Sequence, residues 1–419
     1  MGKTGADRPP VRLAVVGMTG YGWLLIQQIQ KASGSLGCRL VAAADNQMCK
    51  TPDRVAKLKA QGVALYDDAA AMFEALAGEC DGIYVATGIH SHEPLAVAAF
   101  RAGFPVHLEK PAAATVQEVD RMLGEMERTG LFCLVGFHAV HSDEIRFIKD
   151  RVASGRLGEV TTLTCWASWP RGEAYYRRND WAGRLRVGER WVLDGPASNA
   201  LAHQITNMLL LASPQPNRLA VPQKVRAELY AGSPIEGHDT AAIEIRTAEG
   251  QVARLLVSHC GAKEFGPVIE IQAQRGKAVY QAKAGASIRY ADGGSESCPP
   301  SPDSGRGQMI ANFVQAVRAG DGSALRCPLA EARAATAVID GAHESSGRIH
   351  RIGDGHCRMV DDGPGGRRTV IEGLDDMLTG AARRRCLLSE LPNSPPWAVA
   401  TEGFDLADYR SFPQRFREE

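Results

Sequence analysis

The segment Gly17-Met-Thr-Gly20-Tyr-Gly22 follows the apolar run Arg12–Val16 and opens a stretch with apolar residues at helical spacing. A tight strand-to-helix turn of this kind brings backbone N–H groups and a helix N-terminus against a pyrophosphate. The dinucleotide fingerprint asks for glycine at its first, third and sixth positions. Gly17 and Gly22 fill the first and sixth, while Thr19 holds the third with Gly20 beside it and Tyr21 between. Asp45 ends the next apolar run, 23 positions beyond Gly22. An acid there would bind the adenosine ribose hydroxyls and repel a 2′-phosphate, which favours NAD over NADP. The other reading is an Asp that caps the following segment. Further on, the sharpest local motif, Glu109-Lys110-Pro111, stands directly after the run Pro105–Leu108, and Ala86-Thr87-Gly88-Ile89-His90-Ser91-His92 lies upstream. His90, His92, His138 and His141 lack an acid or Cys at ligand spacing, so no metal is expected.

These residues need elements to hold them. Strands are expected at Arg12–Val16, Arg39–Ala44, Gly82–Thr87, Pro105–Leu108 and Leu131–Val135. Helices are expected at Gly22–Lys31, Asp53–Ala60, Asp68–Ala77, Leu95–Ala102 and Thr115–Arg128. Apolar strands without in/out alternation, separated by helices, mean a parallel sheet covered on both faces. This is an N-terminal Rossmann dinucleotide-binding domain in an α/β chain. After His138 the pattern changes. A helix (Ser142–Ala153), an alternating strand (Glu159–Trp169), a long Arg- and aromatic-rich loop, a helix (Ala200–Leu211) and several consecutive strands up to Tyr290 follow. They imply an α+β domain with a mainly antiparallel sheet, one face of which needs cover. The expected division is 1–138, 139–360 and an extension 361–419, reached through the linker-like Asp361–Gly366. Trp397, Phe404, Tyr409, Phe412 and Phe416 make the extension a packing element on the body or a neighbouring subunit.

Composition narrows the function classes. Lys+Arg and Asp+Glu both number 48 among 419 residues, so the formal charge is zero. A nucleic-acid or polybasic membrane-surface protein needs an excess of positive charge. No apolar run is long enough to span a bilayer, and the polar start, Met1–Pro10, carries no apolar core of a secretion signal. No two of the ten cysteines form a CxxC pair. A reduced, cytoplasmic protein is expected.

The Gly17–Gly22 turn, Asp45, the Thr87–His92 loop, Glu109-Lys110-Pro111, Gly136-Phe137 and the helix Leu329–Gly347 together resemble the Gfo/Idh/MocA oxidoreductases, the glucose–fructose oxidoreductase and inositol dehydrogenase family. The resemblance covers about Val11 to Ile352. It implies a Rossmann domain followed by a domain with a large open, mainly antiparallel sheet. It makes Lys110 catalytic: an ammonium that hydrogen-bonds a hydroxyl and stabilises a developing alkoxide or carbonyl oxygen. Glu109 and Pro111 then shape the backbone near the nicotinamide, and Thr87 and His92 join the cofactor-binding set. The family's Asp-x-x-x-His motif matches Asn199-Ala-Leu-Ala-His203. His203 becomes the general base that takes the hydroxyl proton. Four-residue spacing on a helix would put both side chains on one face. Asn199 departs from the pattern, because an amide hydrogen-bonds a hydroxyl but takes no proton. Asn207, one turn further on, extends the polar face. Tyr176, Arg178 and Trp181 stand in the loop that helps form the family's sugar pocket.

The implied function is an NAD-dependent dehydrogenase for a secondary alcohol of a sugar, glycoside or cyclitol. The alternatives are an NAD-recycling glycoside-cleaving enzyme of the same family and an NAD-sensing protein that has lost catalysis. The partner is a small polyol or glycoside. The sheet's uncovered face suggests a homo-dimer or homo-tetramer.

Overall fold

The computed structural model describes residues 9–363 and 366–418, which form two compact units. Unit 1 comprises residues up to Ala113, Glu118–Phe137 and Arg306–Ala330. Its elements alternate: β1 (Val11–Val16), α1 (Gly20–Leu36), β2 (Cys38–Ala44), α2 (Pro52–Ala60), β3 (Ala64–Tyr66), α3 (Ala69–Ala75), β4 (Gly82–Val85), α4 (His92–Arg101), β5 (Val106–Leu108), α5 (Val116–Thr129) and β6 (Cys133–Val135). All six strands are parallel, in the order β3-β2-β1-β4-β5-β6. β1, β4, β5 and β6 are almost wholly buried, as strands covered on both faces must be. The register sets Val16 beside both Ala44 and Val85, and Val85 beside Leu108. The residues that follow these four strand ends therefore share one edge of the sheet, where the strand order reverses.

β3 is absent from the sequence expectation. It has three residues, none buried, so it carries no apolar run to read. The helix Arg306–Ala319 also belongs to unit 1, not to the second domain where the sequence division placed it. Its Phe313 packs edge-on against Tyr84 of β4 at 5.1 Å and His107 of β5 at 5.7 Å. Helical periodicity shows that a face must be buried, not against which sheet.

Unit 2 holds Ala114–Gln117, His138–Gly305 and Glu331 onward. It runs through α6 (Asp143–Ala153), β7 (Val160–Ser168), the short α7 (Glu173–Tyr176), the hairpin β8 (Arg186–Val187) and β9 (Arg190–Trp191), and α8 (His203–Ala212). Then come β10 (Pro222–Ala231), β11 (Thr240–Thr247), β12 (Val252–Ser258), β13 (Phe265–Ala273), β14 (Gly276–Gln281), β15 (Gly285–Tyr290) and β16 (Ser295–Cys298). After the unit 1 helix just described, which is α9, follow α10 (Leu329–Ser346), β17 (His350–Arg351), β18 (Cys357–Asp361), β19 (Arg367–Ile371), α11 (Leu374–Arg384) and β20 (Phe404–Asp405). The large sheet is ordered β16-β15-β14-β13-β7-β12-β11-β10-β17, with β20 also on β10. Only β7–β12 and β10–β17 pair in parallel; the other neighbours are antiparallel.

Two expectations need correction here. Asp361–Gly366 is not an interdomain linker, because β18 and β19 on either side of it pair antiparallel. Its turn-rich composition serves a hairpin, and Pro364 and Gly365 lie outside the described residues. Nor does the sheet leave an apolar face open across β10–β12. Leu374, Leu378, Ala381 and Ala382 of α11, with Leu387, Leu388 and Trp397, bury themselves against Tyr230, Ala242 and Leu256. Beside this patch the face turns ionic: Glu244 pairs with Arg254, Arg246 and Arg226. Over these strands the chain supplies the cover itself.

Candidate active site

In unit 1 the glycine turn is fixed by close backbone approach. Gly17 has φ of +99°, and a Cβ there would stand 2.3 Å from the Ala86 carbonyl oxygen. A Cβ on Gly22 would meet the Gly17 carbonyl oxygen at 2.2 Å. No side chain fits either place, so the turn must be built from glycine whatever binds above it. Thr19 is the N-cap residue of α1, and Gly20 begins the helix with φ of +49°. Tyr21 follows, its hydroxyl accepting from Arg306 Nε at 3.2 Å, and burial raises its pKa. The positive end of a 17-residue helix thus opens immediately after β1.

Asp45 caps the segment that follows it. Its Oδ2 accepts from Met18 N at 2.6 Å and its Oδ1 from Gln47 N at 2.7 Å. It caps the local backbone and ties it to the glycine turn. Each carboxylate oxygen retains a second lone pair for a ribose hydroxyl. Arg54 stands nearby, donating to the Met18 carbonyl at 2.8 Å with its guanidinium over Trp23.

The Thr87–His92 loop and the Glu109-Lys110-Pro111 triplet are joined through His92, which is buried. Its Nδ1 lies 2.8 Å from the Pro111 carbonyl and its Nε2 3.3 Å from the Thr87 carbonyl, while Ser91 Oγ donates to Thr87 Oγ1 at 2.9 Å. Burial lowers the His92 pKa to about 4, so the ring is neutral and acts as a strut. Glu109 is buried beneath Lys110, and its Oε2 accepts from Lys110 N at 3.2 Å. Burial raises its pKa to about 7 against the opposing pull of Lys110 and Arg306. Gly136 makes room for it: a Cβ there would stand 2.6 Å from Glu109 Oε1. Lys110 itself is partly exposed, and its peptide bond to Pro111 is cis.

In unit 2, Asn199 and His203 do not share one regular helix, contrary to the expectation from their spacing. Residues Pro196–Ala200 form a π-turn, with Leu201 N bonded to the Pro196 carbonyl at 2.8 Å, and α8 begins anew at His203. Gly195 and Pro196 start the turn early, and the wider π spacing shifts Asn199 relative to an α-helical position. His203 packs against His138, ring centroids 4.2 Å apart and planes tilted by 53°, and His138 Nδ1 lies 2.8 Å from the Ser304 carbonyl. Asn207 is fully buried, with Nδ2 at 3.4 Å from Gln204 Oε1. The far end of α8 is closed by the buried Lys149, whose Nζ donates to the carbonyls of Leu210 at 2.6 Å and Ser213 at 2.5 Å. Tyr176 points its hydroxyl at His259 Nδ1, 3.4 Å away. The exposed Arg178 lays its guanidinium 3.5 Å over the Tyr175 ring and 5.3 Å from that of Trp181.

Asn199 has a partner that the sequence reading missed: its Nδ2 donates to Asp194 Oδ1 at 2.8 Å. The Asp-Gly-Pro sequence at 194–196 was the available signal, as a helix-start pattern. Among the described residues no three His, Cys, Asp or Glu side chains gather to hold a metal, and no helix is long and apolar enough to cross a membrane.

Fold and turn define a class: a dinucleotide-binding α/β unit in one chain with an open-sheet α+β unit. The model of the oxidoreductase family with NAD-binding Rossmann fold matches residues 11–137, and that of the GFO/IDH/MocA C-terminal domain matches 145–279. Together they account for more than half of the chain, which belongs to the Gfo/Idh/MocA oxidoreductase family. An inositol 2-dehydrogenase of Pseudomonas fluorescens is 31% identical over 196 residues, 45% of this chain and 52% of that protein. The rhizopine catabolism protein MocA of Rhizobium meliloti is 26% identical over 153 residues, 36% of this chain and 46% of that protein. The chain thus spans about half the length of the curated relatives it matches. Among solved structures, the WlbA dehydrogenase of Bordetella pertussis, in complex with NADH and UDP-GlcNAcA, superposes with a TM-score of 0.67 at 20% identity, covering 80% of this chain and 96% of that one. A putative myo-inositol dehydrogenase of Sinorhizobium meliloti gives 0.61 at 20% identity, over 80% and 97%. At such identities these structures share the fold.

Proposed function

We propose that the protein is an NAD-dependent dehydrogenase acting on a secondary alcohol of a sugar, glycoside or cyclitol. The observation that carries this reading is the shared sheet edge in unit 1. The glycine turn, Asp45, the Thr87 loop and Glu109-Lys110 all follow strand ends that lie side by side. In a doubly wound sheet that edge is where a dinucleotide binds. Gly17, Thr19, Gly20, Tyr21 and Gly22 would receive the pyrophosphate at the N-terminus of α1, and Asp45 the adenosine ribose. Nicotinamide, when bound, supplies a hydride acceptor. Preference for NAD follows from Asp45, since a 2′-phosphate would meet a carboxylate already aimed at the Gly-turn backbone. The curated relatives named inositol 2-dehydrogenase support a cyclitol or related polyol as substrate.

Lys110 donates a hydrogen bond to the reacting oxygen, lowering the cost of the charge that develops as the hydroxyl proton leaves. His203 accepts that proton on a ring nitrogen, and the tilted contact with His138 orients the ring. Glu109 holds the backbone N–H of Lys110 and therefore the ammonium's stem. Arg178 and Trp181 offer donors and an apolar face of the kind a polyol ring uses. A panel of cyclitols, sugars and glycosides, read by NADH absorbance with NAD and then NADP, tests the proposal. Turnover of at least one polyol with NAD preferred is expected. Absence of NADH formation across the panel, or release of aglycone without net NADH, would reject it.

A further inference from the structure

The family pattern places a carboxylate four residues before His203, and this chain has the amide of Asn199 there. Five residues further upstream stands Asp194, buried and tightly held. Its Oδ2 accepts from Gly183 N at 2.6 Å and its own N–H donates to the Arg184 carbonyl at 2.9 Å. Its carbonyl oxygen is hemmed in by Gly237, where a Cβ would stand 2.2 Å away. The preceding residue, Leu193, is a fully buried non-glycine with φ of +51°, an unfavourable conformation for a branched side chain. Its carbonyl accepts from Ser198 Oγ at 2.5 Å, which pins the strained turn to the π-turn carrying Asn199. Backbone strain thus aims Asp194 Oδ1 at Asn199 Nδ2.

An ionised carboxylate can only accept hydrogen bonds, whereas an amide has one accepting and one donating end. The contact with Asp194 therefore decides which way round the Asn199 amide sits: the NH2 faces Asp194 and Oδ1 occupies the other end. We infer that Asp194 is a positioning residue that fixes the polarity of Asn199, so that Asn199 offers the substrate a hydrogen-bond acceptor. The pair then selects a substrate hydroxyl that donates. It restores the accepting character of the family's carboxylate while placing the negative charge one side chain further back. Asn199 is partly exposed, as an acceptor for a small molecule must be, whereas Asp194 is enclosed. This inference rests on the dehydrogenase reading for the identity of the substrate, but not for the orientation of the amide.

Exchange of the two side chains separates polarity from mere structure. In Asp194→Asn, the new amide oxygen can still accept from Gly183 N, but its NH2 now faces residue 199. Asn199 must turn its oxygen inward and present NH2 to the substrate. kcat/KM should fall by about 10- to 100-fold, the effect of reversing one hydrogen bond to a polar substrate. Preference should also move toward mono-O-methyl polyols, whose ether oxygen accepts but cannot donate. In the double variant Asp194→Asn/Asn199→Asp, the amide introduced at position 194 accepts from Gly183 N and donates to the carboxylate introduced at position 199, which is acceptor-only. Activity should return to within about threefold of the original, a coupling expected of residues in direct contact. Asn199→Asp alone opposes two carboxylates, and its residual activity should rise toward low pH as the pair takes up a proton.

The amide is also read without substrate. In full-length protein labelled with 15N, one Asn199 side-chain NH2 proton should resonate downfield and exchange slowly, and Asp194→Asn should abolish this. Full activity in Asp194→Asn, or a double variant as impaired as that single one, overturns the inference. An Asn199 amide signal unchanged by Asp194→Asn overturns it also. If none of the polyols gives NADH with the unaltered protein while the amide signal behaves as described, the dehydrogenase reading fails and the positioning role of Asp194 stands.

Discussion

Glu344 of α10 is buried, and it holds the end of the chain. Its Oε1 accepts from the Tyr409 hydroxyl at 2.8 Å and Gln414 N at 2.6 Å, its Oε2 from Arg415 N at 2.5 Å and Phe416 N at 2.9 Å. Four donors converge on one carboxylate. Replacement by Gln turns one oxygen into an NH2; placed where Oε1 was, it donates to the Tyr409 hydroxyl, which can accept, and leaves the Gln414 N–H facing a donor. One unsatisfied donor costs about 1–3 kcal/mol against the latch. The apolar anchors stay in place: Phe412 and Phe416 both pack on Trp191, at 5.0 and 6.3 Å between ring centroids. Each buried aromatic still contributes about 1.5–3 kcal/mol, so the tail should open locally while the sheet stays folded. Hydrogen exchange followed by mass spectrometry resolves this. Amides of residues 414–416 in Glu344→Gln should exchange about 10- to 100-fold faster than in the unaltered protein, with β11 and β12 unchanged. Exchange within about threefold of the original across 409–418 would refute the carboxylate as the tail's latch.

Three further outcomes are expected. Lys149→Met leaves the carbonyls of Leu210 and Ser213 without their donor at the end of α8, and should cost about 2–4 kcal/mol by urea denaturation; a loss below about 0.5 kcal/mol would contradict the capping role. Glu109 has its pKa raised from 4.5 to about 7 by burial, so the folded state binds the extra proton. Stability should fall as pH rises through that window, by up to about 3 kcal/mol, and Glu109→Gln should flatten the dependence; parallel melting curves against pH for the two proteins would argue otherwise. Gly22→Ala puts a methyl 2.2 Å from the Gly17 carbonyl oxygen and should weaken NAD binding at least about tenfold, measured by calorimetry; unchanged affinity would remove the glycine turn from the cofactor site.

Much of unit 1 could be read from the sequence because parallel strands are continuous apolar runs. Gly17, Asp45 and the Glu109-Lys110 pair follow the ends of such runs. Where sequence and structure differ, the deciding interaction is remote or geometric. The spacing of Asn199 and His203 implies one α-helix, yet a π-turn intervenes. Asp194 is hidden because a hydrogen bond between side chains five positions apart leaves no periodic trace. The extension's aromatics signal packing, but their latch, Glu344, lies about 70 residues upstream and looks in the sequence like any helical glutamate.

The central claim proposed is that Lys110 stabilises the reacting oxygen and His203 takes its proton while a polyol gives up a hydride to NAD. The most direct measurement is single-turnover NADH formation by the unaltered protein, Lys110→Ala and His203→Ala with a polyol that the unaltered protein oxidises, at concentrations where NAD binding to each variant has been verified. The account predicts that each variant loses about 100-fold or more in the rate of NADH formation while still binding NAD. A variant that forms NADH at the original rate would contradict it.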